Sequence, residues 1–256
     1  MSLPRYWTEL QRHHLESGAL AQAVAVLPVA AVEQHGPHLP LGVDVQIMEH
    51  ALAAVLRSLP ETVPAVMLPI QAVGVSPEHS AFTGTLTVPA ILSAQVWTAI
   101  AEGVAATGCR RLVLLSSHGG NMATLEIVAQ NLRARLGLVC VTTSFARFGL
   151  PPGLTDAGHD WHGGLAETAV MLAARPDLVV MQKARNFESR GEAMERDFAR
   201  LRASRPAGLA WMAQDLHPEG AIGDASRATA ALGEAIVAHQ AAAVAELLAD
   251  VARFTL

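Results

Sequence analysis

Two short clusters hold residues whose types and spacing can do chemistry. The first is Glu33-Gln34-His35-Gly36-Pro37-His38, followed by Asp44. The second is Ser116-Ser117-His118-Gly119-Gly120-Asn121. Each opens where an apolar run ends, at 24–32 and at 111–115. Carboxylates and imidazoles placed just beyond buried strands sit where α/β enzymes keep their chemistry. Glu, His and Asp together form the ligand set of zinc or manganese in hydrolysis. The reading that follows is a metal-dependent amide hydrolase.

Spacing supports a shared site. On extended backbone, residues two apart point to the same side, so Glu33 and His35 can reach one point. Asp44 lies nine residues after His35, at the start of the next helical stretch. A chain that turns through Gly36 and Pro37 can fold that helix start back over the strand end. By itself Glu33-x-His35 also reads as an ordinary polar loop pair. A third junction, Asp160-Trp161-His162-Gly163-Gly164-Leu165-Ala166-Glu167, repeats the pattern of a histidine in a glycine turn before a helix. Glu167 alone would read as a helix-dipole residue. Three such junctions in one chain point to a metal or acid–base site, because those are where such groups concentrate. Gly119 and Gly120 allow close backbone approach and leave free N–H groups at a helix start, where negative charge is favoured.

The elements that must position these residues alternate. A short helix is expected over 7–22, a strand over 24–29, a helix over 43–59 and a strand over 64–69. A polar loop follows at 74–84, and a helix bracketed by Pro89 and Gly108. The strand at 111–115 is apolar without alternation and so buried on both faces. A helix over 121–136, stopped by Gly137, precedes a strand over 138–143. Residues 148–164 read as loop, 165–174 as helix, and 228–253 as a long alanine-rich helix. Residues 188–205, rich in both charge signs, read as a solvated helix or a flap. Alternating strands and helices give an α/β fold, with a mostly parallel central sheet covered by helices on both faces in a single domain over 1–256.

At 256 residues, with 51% hydrophobic and 16% charged residues, the chain has ample material for a core and a surplus that suits subunit contacts. The net charge of −5 and the lack of a basic face argue against nucleic acid and anionic membrane as partners. The apolar runs are interrupted before membrane-spanning length, and 1–7 lacks the pattern of a signal peptide. A cytoplasmic protein is expected. Cys109 and Cys140 then read as two buried thiols in a reducing compartment.

The motifs resemble those of the creatininase (creatinine amidohydrolase) family. The resemblance runs through Leu27-Pro28-Val29 and Glu33-Gln34-His35-Gly36-Pro37-His38-Leu39-Pro40 to Asp44. It continues in Glu78-His79-Ser80-Ala81-Phe82-Thr83-Gly84-Thr85-Leu86, in His118-Gly119-Gly120-Asn121, and in His162-Gly163-Gly164-Leu165-Ala166-Glu167-Thr168. Arg175-Pro176-Asp177-Leu178 and Gly223-Asp224 also fit, so the match covers nearly the whole chain. It implies a three-layer creatininase-like fold, a site for two divalent ions (zinc, manganese or both) and a homohexamer built as a trimer of dimers. It further implies Glu33, His35, Asp44 and His118 as metal ligands, with Asp44 bridging, and His162 as the catalytic histidine. The creatininase pattern has a metal-binding carboxylate two residues after the second-motif histidine. Gly120 stands there, and Glu167 is assigned as the remaining carboxylate.

The mechanism expected is attack of metal-activated water on an amide carbonyl, with His162 as general acid to the leaving nitrogen. Asn121 and the Gly119-Gly120 amides are assigned to the oxyanion, Asn121 also reading as a helix cap. The resemblance implies Trp161 as the counterpart of the tryptophan that lines creatinine. His79, in the 74–84 loop with Glu78, is assigned to the substrate as reaching in from a neighbouring subunit, with a surface-loop histidine as the plainer reading. His38 is expected behind a ligand. The substrate classes are a cyclic amide, a formamide or another small amide. The alternatives are a peptidase acting on a modified precursor peptide and a non-catalytic metal-binding scaffold.

Overall fold

A computed structural model of the chain describes residues 3–154 and 159–256. Residues 155–158, part of the loop expected over 148–164, and Met1 and Ser2 of the N-terminal reading lie outside the described residues.

In chain order the regular elements are α1 (Arg12–Glu16), β1 (Val24–Val29), α2 (Val43–Ser58), β2 (Ala65–Met67), α3 (Ala90–Ala106), β3 (Arg111–Ser116), α4 (Met122–Leu136), β4 (Val139–Ser144), α5 (Leu165–Ala174), β5 (Asn186–Phe187), α6 (Arg190–Asp197), β6 (Leu201–Arg202), β7 (Ala207–Gly208), α7 (Ala213–Leu216), β8 (Gly223–Asp224) and α8 (Ala230–Arg253). The central sheet is parallel throughout, in the order β2-β1-β3-β4. Side-chain alternation splits the core across it. Val24 and Val26 of β1, with Val113 and Leu115 of β3, face a cluster built with α2, α5 and α8. Ala25, Leu27 and Val29, with Leu112 and Leu114, face the opposite cluster built with α3 and α4. Helix, sheet and helix thus make the three layers expected.

Pro28 stands in the central strand β1, where a missing N–H normally breaks a ladder. Its carbonyl accepts from Gln71 N at 2.9 Å. Its ring nitrogen faces that same side, beyond the end of β2 at Met67, so no ladder bond is lost.

The expected helix over 7–22 is corrected. It consists of a 3₁₀ turn (Trp7–Glu9), the short α1 and a second 3₁₀ turn (Ala19–Gln22). Extended backbone at Leu10 and left-handed backbone at Gly18 (φ 73°) divide it. Trp7, Leu10 and Leu20 nevertheless pack on the α3/α4 side of the sheet, so the apolar spacing served packing rather than one helix. Residues 188–205 contain α6 and β6, with Ser189 capping α6 through Gly191 N. α8 is long and apolar enough by length and composition to cross a membrane. Its Ile236, Val237, Ala241, Val244, Leu248 and Val251 are buried, and it packs on α2 and α5, while Glu234, Glu246 and Asp250 face outward. That is the pattern of a core helix. Part of the apolar surplus stays outside: Ile91, Leu92, Val96 and Ile127 are each at least 50% exposed.

Candidate metal centre

Parallel pairing fixes the site. β1 and β3 run side by side with Val29 opposite Ser116, so both chains leave the sheet at the same edge. Glu33-Gln34-His35 follows one strand and His118 the other. Ser117 Oγ donates to the Asp44 carbonyl at 2.8 Å, which ties the first turn of α2 to the end of β3. His162 arrives before α5 and is held by paired backbone bonds with Ile222. The loop carrying Glu78 and His79 is anchored by Leu86 N donating to Val32 O and by Val88 N donating to Gly74 O.

Glu33, His35, Asp44 and His118 are buried together, and Glu167 is a quarter exposed. Their donor atoms form overlapping triads: Glu33 with Asp44 and His118; His35 with Asp44 and Glu167; Glu33 with His35 and His162. Glu33 Oε1 lies 3.2 Å from His118 Nδ1, 3.4 Å from His79 Nε2 and 3.5 Å from His162 Nδ1. His35 Nε2 lies 3.5 Å from Glu167 Oε2 and 3.7 Å from Asp44 Oδ2.

The imidazoles share one arrangement. Each gives one ring nitrogen to a backbone carbonyl and turns the other towards the carboxylates. His35 Nδ1 meets Glu33 O at 3.0 Å, His118 Nε2 meets Val75 O at 3.1 Å, and His162 Nε2 meets Gln34 O at 2.5 Å. A carbonyl only accepts, so those nitrogens carry the protons and the inward ones offer lone pairs. Buried Glu33 Oε1, His35 Nε2 and Asp44 Oδ2 have no hydrogen-bond partner. Native interiors rarely leave such atoms unpaired, and cations held at the triads Glu33–Asp44–His118 and His35–Asp44–Glu167 would account for all three. The donor set fits a divalent ion.

The electrostatics agree. Burial, then the Glu33 carboxylate, raises Asp44 well above the ordinary carboxylate range. Burial also raises Glu167. For Glu33, burial acts upwards but the surrounding imidazoles, His118 foremost, outweigh it and hold the carboxyl below the ordinary range. His118 is raised well above the usual histidine value, Glu33 and Glu78 overcoming its burial. His35 is pushed well down by burial and by neighbouring His162, and His79 falls to about 3 for the same reasons. Among the described residues no lysine or arginine pairs with these carboxylates.

The other sequence candidates fall as follows. His162 stacks between His35 and His79, with ring centres 4.1 Å from each. His79 is buried rather than at the surface, and its Nδ1 meets Gln34 Nε2 at 2.7 Å. Asn121 spends its whole amide on architecture. Oδ1 accepts from Val75 N at 2.9 Å, and Nδ2 donates to Ala30 O and Ser116 Oγ. It stands before α4 without a side-chain capping bond. Gly119 and Gly120 form a 3₁₀ turn ahead of α4. Trp161 packs against His159 and the small cluster of Met194, Ala203, Leu216 and Ile222. His38 lies behind the site, its Nε2 2.9 Å from Thr168 Oγ1. Asn121→Ala is expected to cost about 1–3 kcal/mol of stability, because it strands the buried Val75 N–H and Ala30 carbonyl. Chemical denaturation would measure this, with metal content unchanged.

Sequence reasoning assigned no role to Ser76, Gln34 or Glu78. Ser76 Oγ donates to Glu33 Oε2. Gln34 Nε2 donates to Gly220 O at 3.0 Å, and its Oε1 accepts from Gly36 N at 2.9 Å. Glu78 Oε1 lies 3.3 Å from His118 Nε2. Asp160 accepts from Leu165 N and Ala166 N and so caps α5, while Glu167 Oε2 accepts from Gly163 N at 2.6 Å and from there faces His35. Membership of the matched motifs was the available signal; it covered Gln34 and Glu78 but not Ser76. A cleft of about 370 Å³ opens onto His35, walled by Gln34, Pro37, Leu39, Leu41 and Phe82.

Comparison with known proteins agrees with this architecture. The sequence profile of the Creatininase family, described as creatinine amidohydrolase, matches residues 7–248. The mycofactocin precursor peptide peptidase of Mycobacterium ulcerans (strain Agy99) is 32% identical over 239 residues, covering 90% of this chain and 85% of that protein. The creatinine amidohydrolase of Pseudomonas putida is 30% identical over 185 residues, covering 64% of this chain and 69% of that protein. A crystal structure of creatinine amidohydrolase (creatininase) superimposes with a TM-score of 0.77 at 24% identity, covering 99% of this chain and 100% of that one, and so shares the fold. On these matches the chain belongs to the creatininase family.

Proposed function

We propose that this creatininase-family hydrolase cleaves a C–N amide bond with water activated at a site for two divalent ions, zinc or manganese. The observation that carries the reading is the set of three buried imidazoles, each pinned by a backbone carbonyl with its free nitrogen turned to buried carboxylates. Glu33, Asp44 and His118 would hold one ion, and His35, Asp44 and Glu167 the other, with Asp44 shared. When bound, the ions supply Lewis acidity towards a carbonyl and lower the pKa of water towards about 7.

The chain's own groups do the rest. His162 keeps its Nε2 proton on Gln34 O, so Nδ1 is the atom that takes a proton and returns it to the leaving nitrogen. Gln34 fixes His79 in turn: its amide donates to Nδ1, which leaves the His79 Nε2 proton directed at Glu33 Oε1. Ser76 holds the other carboxylate oxygen, Oε2, and so leaves Oε1 as the atom facing the imidazoles. The cleft beside His35, walled by Leu39, Leu41 and Phe82 with the polar Gln34, Thr83 and Glu219, suits a substrate side chain.

Among substrates, a peptide amide moves ahead of the small cyclic amide or formamide. The support is the 32% identity to a protein named for cleaving a precursor peptide, along most of both chains. Creatinine remains the second reading, on the likeness to creatinine amidohydrolase. The test is metal content by mass spectrometry on full-length protein, wild type beside Glu167→Ala, followed by assays of precursor-peptide cleavage and creatinine hydrolysis. Two ions per chain falling towards one in the variant is the expected result. Wild-type protein that stays metal-free after zinc and manganese are added back would overturn the hydrolase reading and favour a scaffold.

A further inference from the structure

Glu78 is the carboxylate for which sequence reasoning found no use. It sits on the 3₁₀ turn Pro77–His79, 18% exposed at its side chain. Its Oε1 lies 3.3 Å from His118 Nε2, and Val75 O lies 3.1 Å from the same nitrogen. The opposite nitrogen, Nδ1, faces Glu33 Oε1 at 3.2 Å. Two acceptors on Nε2 hold the proton there and leave Nδ1 as the lone pair facing the cluster.

Gly120 explains how Glu78 gets so close. A Cβ at that position would overlap Glu78 Oε1, His118 Nε2 and Val75 O together. Only glycine leaves room for a carboxylate brought from another loop to reach the imidazole. The space that a side chain at residue 120 would enter is thus occupied by Glu78.

We infer that Glu78 is a positioning residue: beside the Val75 carbonyl it adds a charged acceptor on His118 Nε2 that sets the ring's orientation and basicity, and Gly120 is the opening through which it does so. The inference rests on the metal-site reading above. Carboxylates behind metal-bound histidines raise ligand basicity and set ring orientation, and their loss weakens metal affinity by about 10- to 100-fold. Glu78 touches the ligand, not the ion, so its effect falls on the one ion that His118 holds.

The experiment is a titration of cobalt(II) into metal-free, full-length protein, followed by visible absorption. It compares wild type with Glu78→Ala, Glu78→Gln and Gly120→Ala. Wild type is expected to bind in two steps. Glu78→Ala weakens one step by about 10- to 100-fold and shifts its absorption band, while the other step is unchanged. Glu78→Gln, which keeps an acceptor without the charge, weakens the same step less. Gly120→Ala, which crowds His118 as well as the carboxylate, weakens the same step at least as much as Glu78→Ala. A merely structural role would weaken both steps alike or neither, and either result overturns the inference while leaving the two-ion site intact. Should Glu78→Ala fail to fold, the near-isosteric Glu78→Gln decides by the same criterion. Wild-type protein that binds no cobalt would overturn the metal-site reading itself, and this inference with it, before any variant is examined.

Discussion

Asp44→Ala is expected to empty both metal positions at once and to lower turnover by at least about 10³-fold, since metal catalysis is worth several kcal/mol. Glu33, His35 and Asp44 each belong to two of the three donor triads, but Asp44 alone is common to the two triads proposed to hold the ions; it is buried, and its Oδ2 has no hydrogen-bond partner. Removing Glu33 or His35 would take ligands from one side of the cluster; removing Asp44 takes the shared one. Mass-spectrometric metal analysis checks the result, and two ions retained per chain would remove Asp44 from the bridging position. The same residue predicts a stability effect of opposite sense in metal-free protein. Burial and the Glu33 carboxylate raise the Asp44 pKa above its unfolded value of 3.8. The folded state therefore binds the proton more tightly, so this residue's contribution is fully present below about pH 4 and is lost as pH rises towards the folded pKa. Asp44→Asn removes that loss. Melting temperatures of metal-free wild type and Asp44→Asn should diverge above about pH 4, the variant being the more stable at neutral pH. Coincident curves would contradict the raised pKa.

His162→Ala separates proton transfer from metal binding. Its expected effect is a fall in turnover of about 10²- to 10⁴-fold, the range of general acid–base catalysis, with both ions retained. His162 is stacked between His35 and His79 and pinned at Nε2 by Gln34 O, so its Nδ1 is aimed without any help from a metal. Its removal leaves the Glu33–Asp44–His118 and His35–Asp44–Glu167 triads complete. Turnover equal to wild type would exclude it from the reaction. Loss of an ion in the variant would instead make His162 a ligand, which its place in the Glu33–His35–His162 triad allows.

The clearest sequence signals were those of local geometry. Glu33 and His35 two apart beyond an apolar strand, and Asp44 at a helix start, carry their placement in the chain itself, because strand period and turn residues act over a few residues. The parallel sheet and its flanking helices were legible for the same reason: unbroken apolar runs alternate with helical stretches of adequate length. The first twenty residues misled, because apolar spacing that loosely fits a helix is served equally well by three short turns packed on the sheet. Trp161 was assigned to the substrate from the family resemblance; its ring packs beside a small apolar cluster with Ile222 and Leu216, a contact that no local pattern announces.

What the sequence determined by itself was therefore the architecture and the identity of the groups meeting at the sheet edge. What only the tertiary structure decided was which atom of each group faces the centre and what stands behind it. Ser76 reaches Glu33 across 43 positions, and His162 reaches the Gln34 carbonyl across 128. Such pairings are set by the parallel register of β1 with β3 and by where the loops are tied, so no local pattern announces them. The proton positions on His118 and His162 follow from such distant carbonyls, whereas that on His35 follows from Glu33 O two residues away, and with them the direction of each lone pair that could meet a metal.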